Sequence, residues 1–176
     1  MSQDADKKFS ELYKQYAAYM FGVCLRYTGN REDAEDMMQD GFVKVYNNLD
    51  KLKDIVNIKA WIKRIMINTA LNLYRHNKII DFKSIDEGAY DIYKSKENDA
   101  IQQLTTKELL NVIQDLPDGY RLIFNLYAIE GYKHREIAEI LNINEGTSKS
   151  QFSKARSSLK KLIDKKLNIS DVNNEK

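Results

Sequence analysis

The sequence is short of chain breakers. A single proline, Pro117, and seven glycines are spread over 176 residues. That is too little punctuation for the many tight turns of an all-β domain, and helix formers dominate between them, so an all-α fold is expected. The one cysteine, Cys24, rules out an internal disulfide, and its apolar neighbours mark it as a small buried thiol of a reducing compartment. No stretch of 18 apolar residues occurs, so no transmembrane helix is expected. The opening MSQDADKKFSEL carries no apolar signal region, which points to a cytoplasmic protein. Histidine is nearly absent: His76 and His134 stand far apart, the cysteine has no metal-type spacing, and no glycine-rich phosphate loop is present. No cofactor, no metal and no small-molecule substrate are therefore expected, and an enzyme is disfavoured. What is present, 43% apolar and 31% charged residues, suffices to bury a core in one domain or two small ones.

The net charge of +2 decides nothing, but its distribution does. Residues 31–40 hold five acids against one base, residues 51–83 eight bases against two acids, and residues 144–166 seven bases against two acids. Between the basic blocks, residues 84–118 hold eight acids against three bases. Two basic modules separated by an acidic segment is the pattern of a chain that meets a polyanion at two places. Solvated faces that happen to alternate remain the plainer alternative on charge alone.

Periodicity places the elements. Phe9, Leu12, Tyr13, Tyr16, Ala17, Met20, Cys24 and Tyr27 recur in three- and four-residue steps, predicting a helix over about 6–27 that stops at Thr28-Gly29-Asn30. Asn30 is positioned to cap a second helix with an acidic first turn and an inner face of Ala34, Met38, Gly41, Phe42, Val45 and Leu49. Asn47 to Asp54 reads as a loop. A third helix over about 57–77 turns Ile58, Ile62, Ile65, Met66, Thr69 and Leu73 inward. Periodicity fails from Lys78 to about Asn98, which predicts a flexible linker. A second helical group follows, from Ile101 and Leu104 through Leu109, Val112 and Ile113; Pro117 then opens a helix running to about Ile129. The expected organisation is two small helical domains, 6–78 (three or four helices) and 101–167 (four helices), with a linker at 79–100 and a frayed tail at 168–176.

The informative stretch is GYKHREIAEILNINEGT, residues 131–147. A short helix over His134 to Leu141, a turn at Asn142-Ile143-Asn144 and a longer helix from Glu145 make a helix-turn-helix, whose second helix enters the major groove. Thr147, Lys149, Ser150, Gln151, Lys154 and Arg156 are expected to face the groove, and Phe152, Ala155, Leu159 and Leu162 the core. Lysine and arginine suit guanine edges or phosphates, and glutamine suits adenine. An ordinary helical hairpin with a basic solvent face is the competing reading, although such a face more often alternates Glu with Lys.

Read together, the two halves resemble the extracytoplasmic-function sigma factors, the minimal two-domain branch of the bacterial sigma-70 family. The matching residues are F-x-x-L-Y-x-x-Y from Phe9, A-E-D-x-x-Q-D-x-F from Ala34, W-I-x-x-I-x-x-N-T-A from Trp61 and Tyr74-Arg75. In the second half they are L-P-x-x-Y-R from Leu116, E-I-A-x-I-L from Glu136 and G-T-S-K-S-Q-x-S-K-A-R from Gly146. The resemblance implies an initiation factor whose first domain (region 2) binds core RNA polymerase and opens the −10 element, and whose second (region 4) reads the −35 duplex. It implies that Asp36, Gln39 and Asp40, with Glu35 and Phe42 beside them, dock on the clamp of the largest subunit, an acidic face suited to an arginine-rich partner. Arg64, Asn68, Asn72 and Arg75 then form a stripe that captures an unstacked base and holds the single strand, with the loop 48–57 contributing to the pocket. Trp61 reads as core rather than as a stacking platform. Further implied partners are the polymerase flap and an anti-sigma factor. The recognition helix departs from the common pattern at Lys149, Gln151 and Ser153, which leaves the preferred −35 sequence open. A polymerase-independent regulator would need an effector or dimerisation domain, and residues 1–77 show neither; a pure protein-interaction module is the remaining rival.

Overall fold

The computed structural model describes residues 2–76 and 105–174, with side chains over 3–75 and 105–166. Every element among them is helical: α1 (Ser2–Tyr27), α2 (Arg31–Tyr46), a short 3-10 helix (Leu49–Asp54), α3 (Ile58–His76), α4 (Thr106–Gln114), α5 (Asp118–Phe124) running on into a π-helical turn (Asn125–Ile129), α6 (His134–Leu141) and α7 (Glu145–Asn174). The chain divides into two compact units, Met1–Ile79 and Ile80–Lys176. The expected linker, together with Ile101 and Leu104, lies outside the described residues.

In the first unit α1, α2 and α3 pack against one another pairwise. The α1–α2 corner is closed by short polar side chains. The Thr28 hydroxyl lies 3.2 Å from Cys24 O and 3.0 Å from Asn30 O, and Asn30 Oδ1 accepts from Asp33 N at 2.8 Å, the expected N-cap. Where a loop was expected after α2, Leu49 and Leu52 are buried, and the chain tightens into a 3-10 turn to seat both. The apolar faces are wider than single stripes. Val23, Met37, Ile67, Ala70 and Leu71 join the buried set, while Leu73 is 37% exposed, because each helix touches two neighbours and not one. A Cβ built on Gly41 would overlap the Met66 thioether, so glycine is what lets α2 and α3 approach there. Cys24 is fully buried, and desolvation pushes its thiol up to about 12, so it stays protonated and unreactive.

The second unit begins with a capping box: Glu108 N donates to Thr105 Oγ1 at 3.3 Å and Thr105 N to Glu108 Oε2 at 2.8 Å. Val112, Ile113, Leu116, Leu159 and Ile163 form a buried cluster that holds α4 and α5 on α7. Pro117 stands just ahead of α5, and its carbonyl accepts from Arg121 N at 2.9 Å. The π turn ends in a left-handed Gly131 (φ 80°), and left-handed Asn142 (φ 54°) closes α6. The backbone of α7 stays helical to Asn174, past the point where fraying was expected.

One buried charge organises this unit. Arg121 is only 4% exposed; its Nη1 donates to Gln114 O at 2.7 Å and to Leu116 O at 2.9 Å, and its Nη2 pairs with Asp118. The guanidinium thus satisfies the last carbonyl of α4 and that of Leu116 in the connection, and ties them to the start of α5. Replacing it by methionine, of similar length, strands those acceptors. Arg121→Met should lower unfolding free energy by about 2–4 kcal/mol in a urea titration followed by circular dichroism; a loss within experimental error would show that water replaces the guanidinium without cost.

Candidate nucleic-acid interface

Three helices leave one face free of folding duty. On α2 the acidic set stands in solvent: Glu35, Asp36, Gln39 and Asp40 are all exposed, and Arg31 Nε pairs with Glu35 Oε1 at 2.7 Å. Phe42, expected beside them as a docking residue, is instead 2% exposed. It packs edge-on against Phe9 (6.2 Å, 81°) and tilted against Tyr13 (4.8 Å, 59°), because its position on the helix points toward α1. It holds α2 in place and cannot touch a partner directly. Val43, 53% exposed, lies instead on the acidic face, three residues after Asp40, four after Gln39 and seven after Asp36. Sequence reasoning missed it, since an isolated valine gives no signal until its side of the helix is known.

On α3, Arg64, Asn68, Asn72 and Arg75 are all exposed, as the stripe requires. Arg75 Nη1 lies 3.5 Å from Asn72 Oδ1. Asn57 starts the helix by accepting from Ala60 N at 3.0 Å, and Trp61 is half-buried at the edge of the stripe. Behind it Thr69, buried, receives Lys44 Nζ at 2.8 Å and fixes α3 against α2.

On α7 the groove face needs one correction. Gln151, expected to read bases, is 2% exposed, and its Oε1 has no hydrogen-bond partner. The helix turns Ser148, Gln151, Ala155, Leu159 and Ile163 inward. Gln151 sits four residues before Ala155, so extending the apolar face back by one turn would have found it. Lys149 and Arg156 are exposed, Thr147, Ser150 and Lys154 half-exposed. Ser153 and Lys160, which the candidate set omitted, are exposed on the line of Lys149 and Arg156. Lys149 Nζ pairs with Glu145 Oε1 at 2.7 Å, and Ser150 Oγ donates to Thr147 O at 3.0 Å.

An aromatic brace sets the angle of this helix. His134 stacks on Tyr127 (4.1 Å, 13°), Phe152 closes on Tyr127 at 4.5 Å, and His134 Nδ1 lies 2.9 Å from Ser148 Oγ. The π turn, α6 and α7 therefore meet at one point. Partial burial lowers the His134 pKa, and the Lys149 ammonium lowers it further against the opposing pull of Glu145.

Comparison with known proteins agrees with this geometry. The family model Sigma-70 region 2 matches residues 12–79, and Sigma-70, region 4 matches residues 106–159. The ECF RNA polymerase sigma factor SigW of Bacillus subtilis is 30% identical over 171 residues, covering 92% of this chain and 90% of that protein. The ECF RNA polymerase sigma-E factor of Haemophilus influenzae is 27% identical over 172 residues, covering 92% and 90%. Among solved structures, the sigma factor RpoE of Bartonella quintana, crystallised with the anti-sigma factor NepR, superposes with a TM-score of 0.50 at 21% identity. It covers 90% of this chain and 98% of that one, a likeness of fold. The two family models together define the class, the sigma-70 initiation factors. Within it, the chain belongs to the extracytoplasmic-function (ECF) RNA polymerase sigma factors. It is thus a promoter-recognising transcription initiation factor that binds RNA polymerase, in a class that works generally without catalysis.

Two predictions follow from the brace and the buried glutamine. Gln151→Met keeps the shape and removes an unpaired buried oxygen, so thermal stability should hold or rise by about 1 kcal/mol with duplex preference unchanged; a changed base preference would put Gln151 back in the groove. A histidine whose folded pKa lies below its unfolded one opposes folding when protonated. Its effect is absent above the ordinary histidine value and grows as pH falls through that value toward the lower folded one. The melting temperature should therefore decline between about pH 7 and 5, and His134→Phe, which keeps the stack, should flatten the decline; an identical slope in the variant would exclude His134 as its source.

Proposed function

We propose that the chain directs core polymerase to promoters by a two-point grip, with the residue roles as follows. The exposed face of α2, Glu35, Asp36, Gln39 and Asp40 with Val43 among them, docks on an arginine-rich helix of the polymerase clamp. The stripe Arg64, Asn68, Asn72 and Arg75 holds the −10 strand, amides reading a base edge and guanidiniums gripping phosphates. The outer face of α7, Thr147, Lys149, Ser150, Ser153, Lys154 and Arg156, enters the major groove of the −35 duplex. The observation that carries this reading is the joint exposure of the α3 stripe and the α7 basic face in one chain. Neither face contributes to a core, and both have the chemistry of a nucleic-acid partner. The factor has no catalytic step of its own, needs no cofactor and acts in the cytoplasm; no helix among the described residues is long and apolar enough to cross a membrane. An anti-sigma factor is its inactivating partner, as NepR is found on RpoE of Bartonella quintana.

The test is a promoter band-shift with and without core polymerase. The chain should shift promoter DNA only when polymerase is present, Asn68→Ala should cost the −10 preference, and Lys149→Ala with Lys154→Ala the −35 preference, each by about 1–3 kcal/mol. Tight sequence-specific binding by the chain alone would instead make it a free-standing regulator.

A further inference from the structure

The helix assigned to the major groove opens on an acid. Residues 146–163 of α7 hold five bases and no acid, yet Glu145 stands just ahead of them, one turn before Lys149. A carboxylate there repels phosphate, so a surface built only for the DNA backbone would omit it. Glu145 also does little for the fold. Its Oε1 meets Lys149 Nζ at 2.7 Å, with the two side chains 46% and 61% exposed, and an exposed i,i+4 pair of this kind adds little stability. The Lys149 ammonium holds the Glu145 carboxyl below the usual carboxylate range, with His134 and Arg135 adding to the pull, so the acid is ionised at neutral pH.

The pair stands on a fixed turn. Ser148, beside Lys149, is fully buried; its N–H donates to Asn144 O at 3.1 Å and its Oγ lies 2.9 Å from His134 Nδ1, which pins the first turn of α7 to α6. A Cβ built on Gly146 would meet nothing within 4 Å, so packing does not require a glycine there. What its missing side chain allows is close approach of the helix start to a partner. N-terminal residues of a recognition helix are the ones that reach base edges.

A cation and an anion in contact match a base pair better than a phosphate. In a G·C pair the major groove shows guanine N7 and O6 as acceptors and, across a hydrogen bond of about 2.9 Å from O6, the cytosine N4 donor. An ammonium on guanine therefore sets the adjoining carboxylate on N4. In an A·T pair the order is acceptor, donor, acceptor, so a carboxylate on adenine N6 lies beside N7 and is repelled.

We propose that Glu145 and Lys149 act as one reader that selects a G·C pair of fixed orientation in the −35 element, Lys149 on the guanine and Glu145 on the cytosine. This rests on the reading of α7 as the −35 helix, and adds to it an acid and the base pair that the acid selects.

The experiment uses the full chain assembled with cognate core polymerase, on a promoter library randomised over the upstream element, with the bound DNA sequenced. The wild type should favour G·C in one orientation at one position by at least about tenfold. Glu145→Ala should remove most of that preference, and Lys149→Ala should remove it at the same position, with preferences elsewhere in the element kept. Glu145→Asp, which keeps the charge at the helix start but shortens its reach, should behave as Glu145→Ala does. A gain in binding by Glu145→Ala that is even over all sequences would make the acid a repelling charge only and overturns the reader. So does an unchanged preference in Glu145→Asp, or loss at a position other than the one Lys149 reads. If Lys149→Ala leaves every −35 preference intact, the reading of α7 itself falls, and the reader with it.

Discussion

A helix can serve a partner only on the side that the fold does not use, and this constraint shapes both units. Each is so small that its helices must bury more than one narrow stripe, and α3 spends Ile62, Met66, Ile67, Thr69, Ala70 and Leu71 on the core. What is left is a single exposed line, on which Arg64, Asn68, Asn72 and Arg75 stand. The Met66 side chain occupies the space that Gly41 leaves on α2, which helps to seat α3 against α2. In the second unit the equivalent duty falls to Arg121, whose buried guanidinium joins α4 to α5 and so fixes the platform against which α7 lies. Both devices act at a distance from the surfaces they orient. A substitution at either would disturb binding without touching a ligand.

Most of the architecture was legible because the helix stops are chemically explicit. Thr28-Gly29-Asn30, Pro117, Gly131 and Asn142 each mark a boundary by backbone preference, and the structure puts a boundary at each. Thr105 and Glu108 likewise spell the capping box that opens α4. The 3-10 turn was harder. Leu49 and Leu52 fit a loop with two stray leucines as well as a short helix, and only their burial in the folded unit decides which they make. The π turn has no sequence signature at all; Asn125 and Leu126 are buried there in order to carry α5 into the left-handed Gly131.

Side-chain direction was the least legible layer. Phe42 and Gln151 each stand two residues from a charged side chain that faces solvent, Asp40 and Lys149, so membership in a motif suggested a contact where the helix angle gives burial. A one-residue difference in position on a helix rotates a side chain by about 100°, enough to move it from groove to core. For Gln151 the remedy lay in the sequence, in the spacing back from Ala155. For Phe42 it also lay in the sequence, since the periodicity of α2 sets it on the inner face, where it meets Phe9 and Tyr13.

The division into two units has a consequence for affinity. In the proposed roles, the exposed bases of α7 and the stripe of α3 would each offer a handful of contacts, and such contacts to phosphate are weakened by salt at physiological strength. Neither face alone would hold a promoter against a genome of competing sites. Joined in one chain and seated on one polymerase, the second contact becomes intramolecular, with an effective concentration in the millimolar range. In that proposal specificity would come from the product of two modest preferences, with weak binding in the absence of polymerase. A factor with tight faces would occupy promoters unproductively. The modest, exposed and largely polar character of both faces therefore suits a protein that must read DNA only while holding the enzyme that will use it.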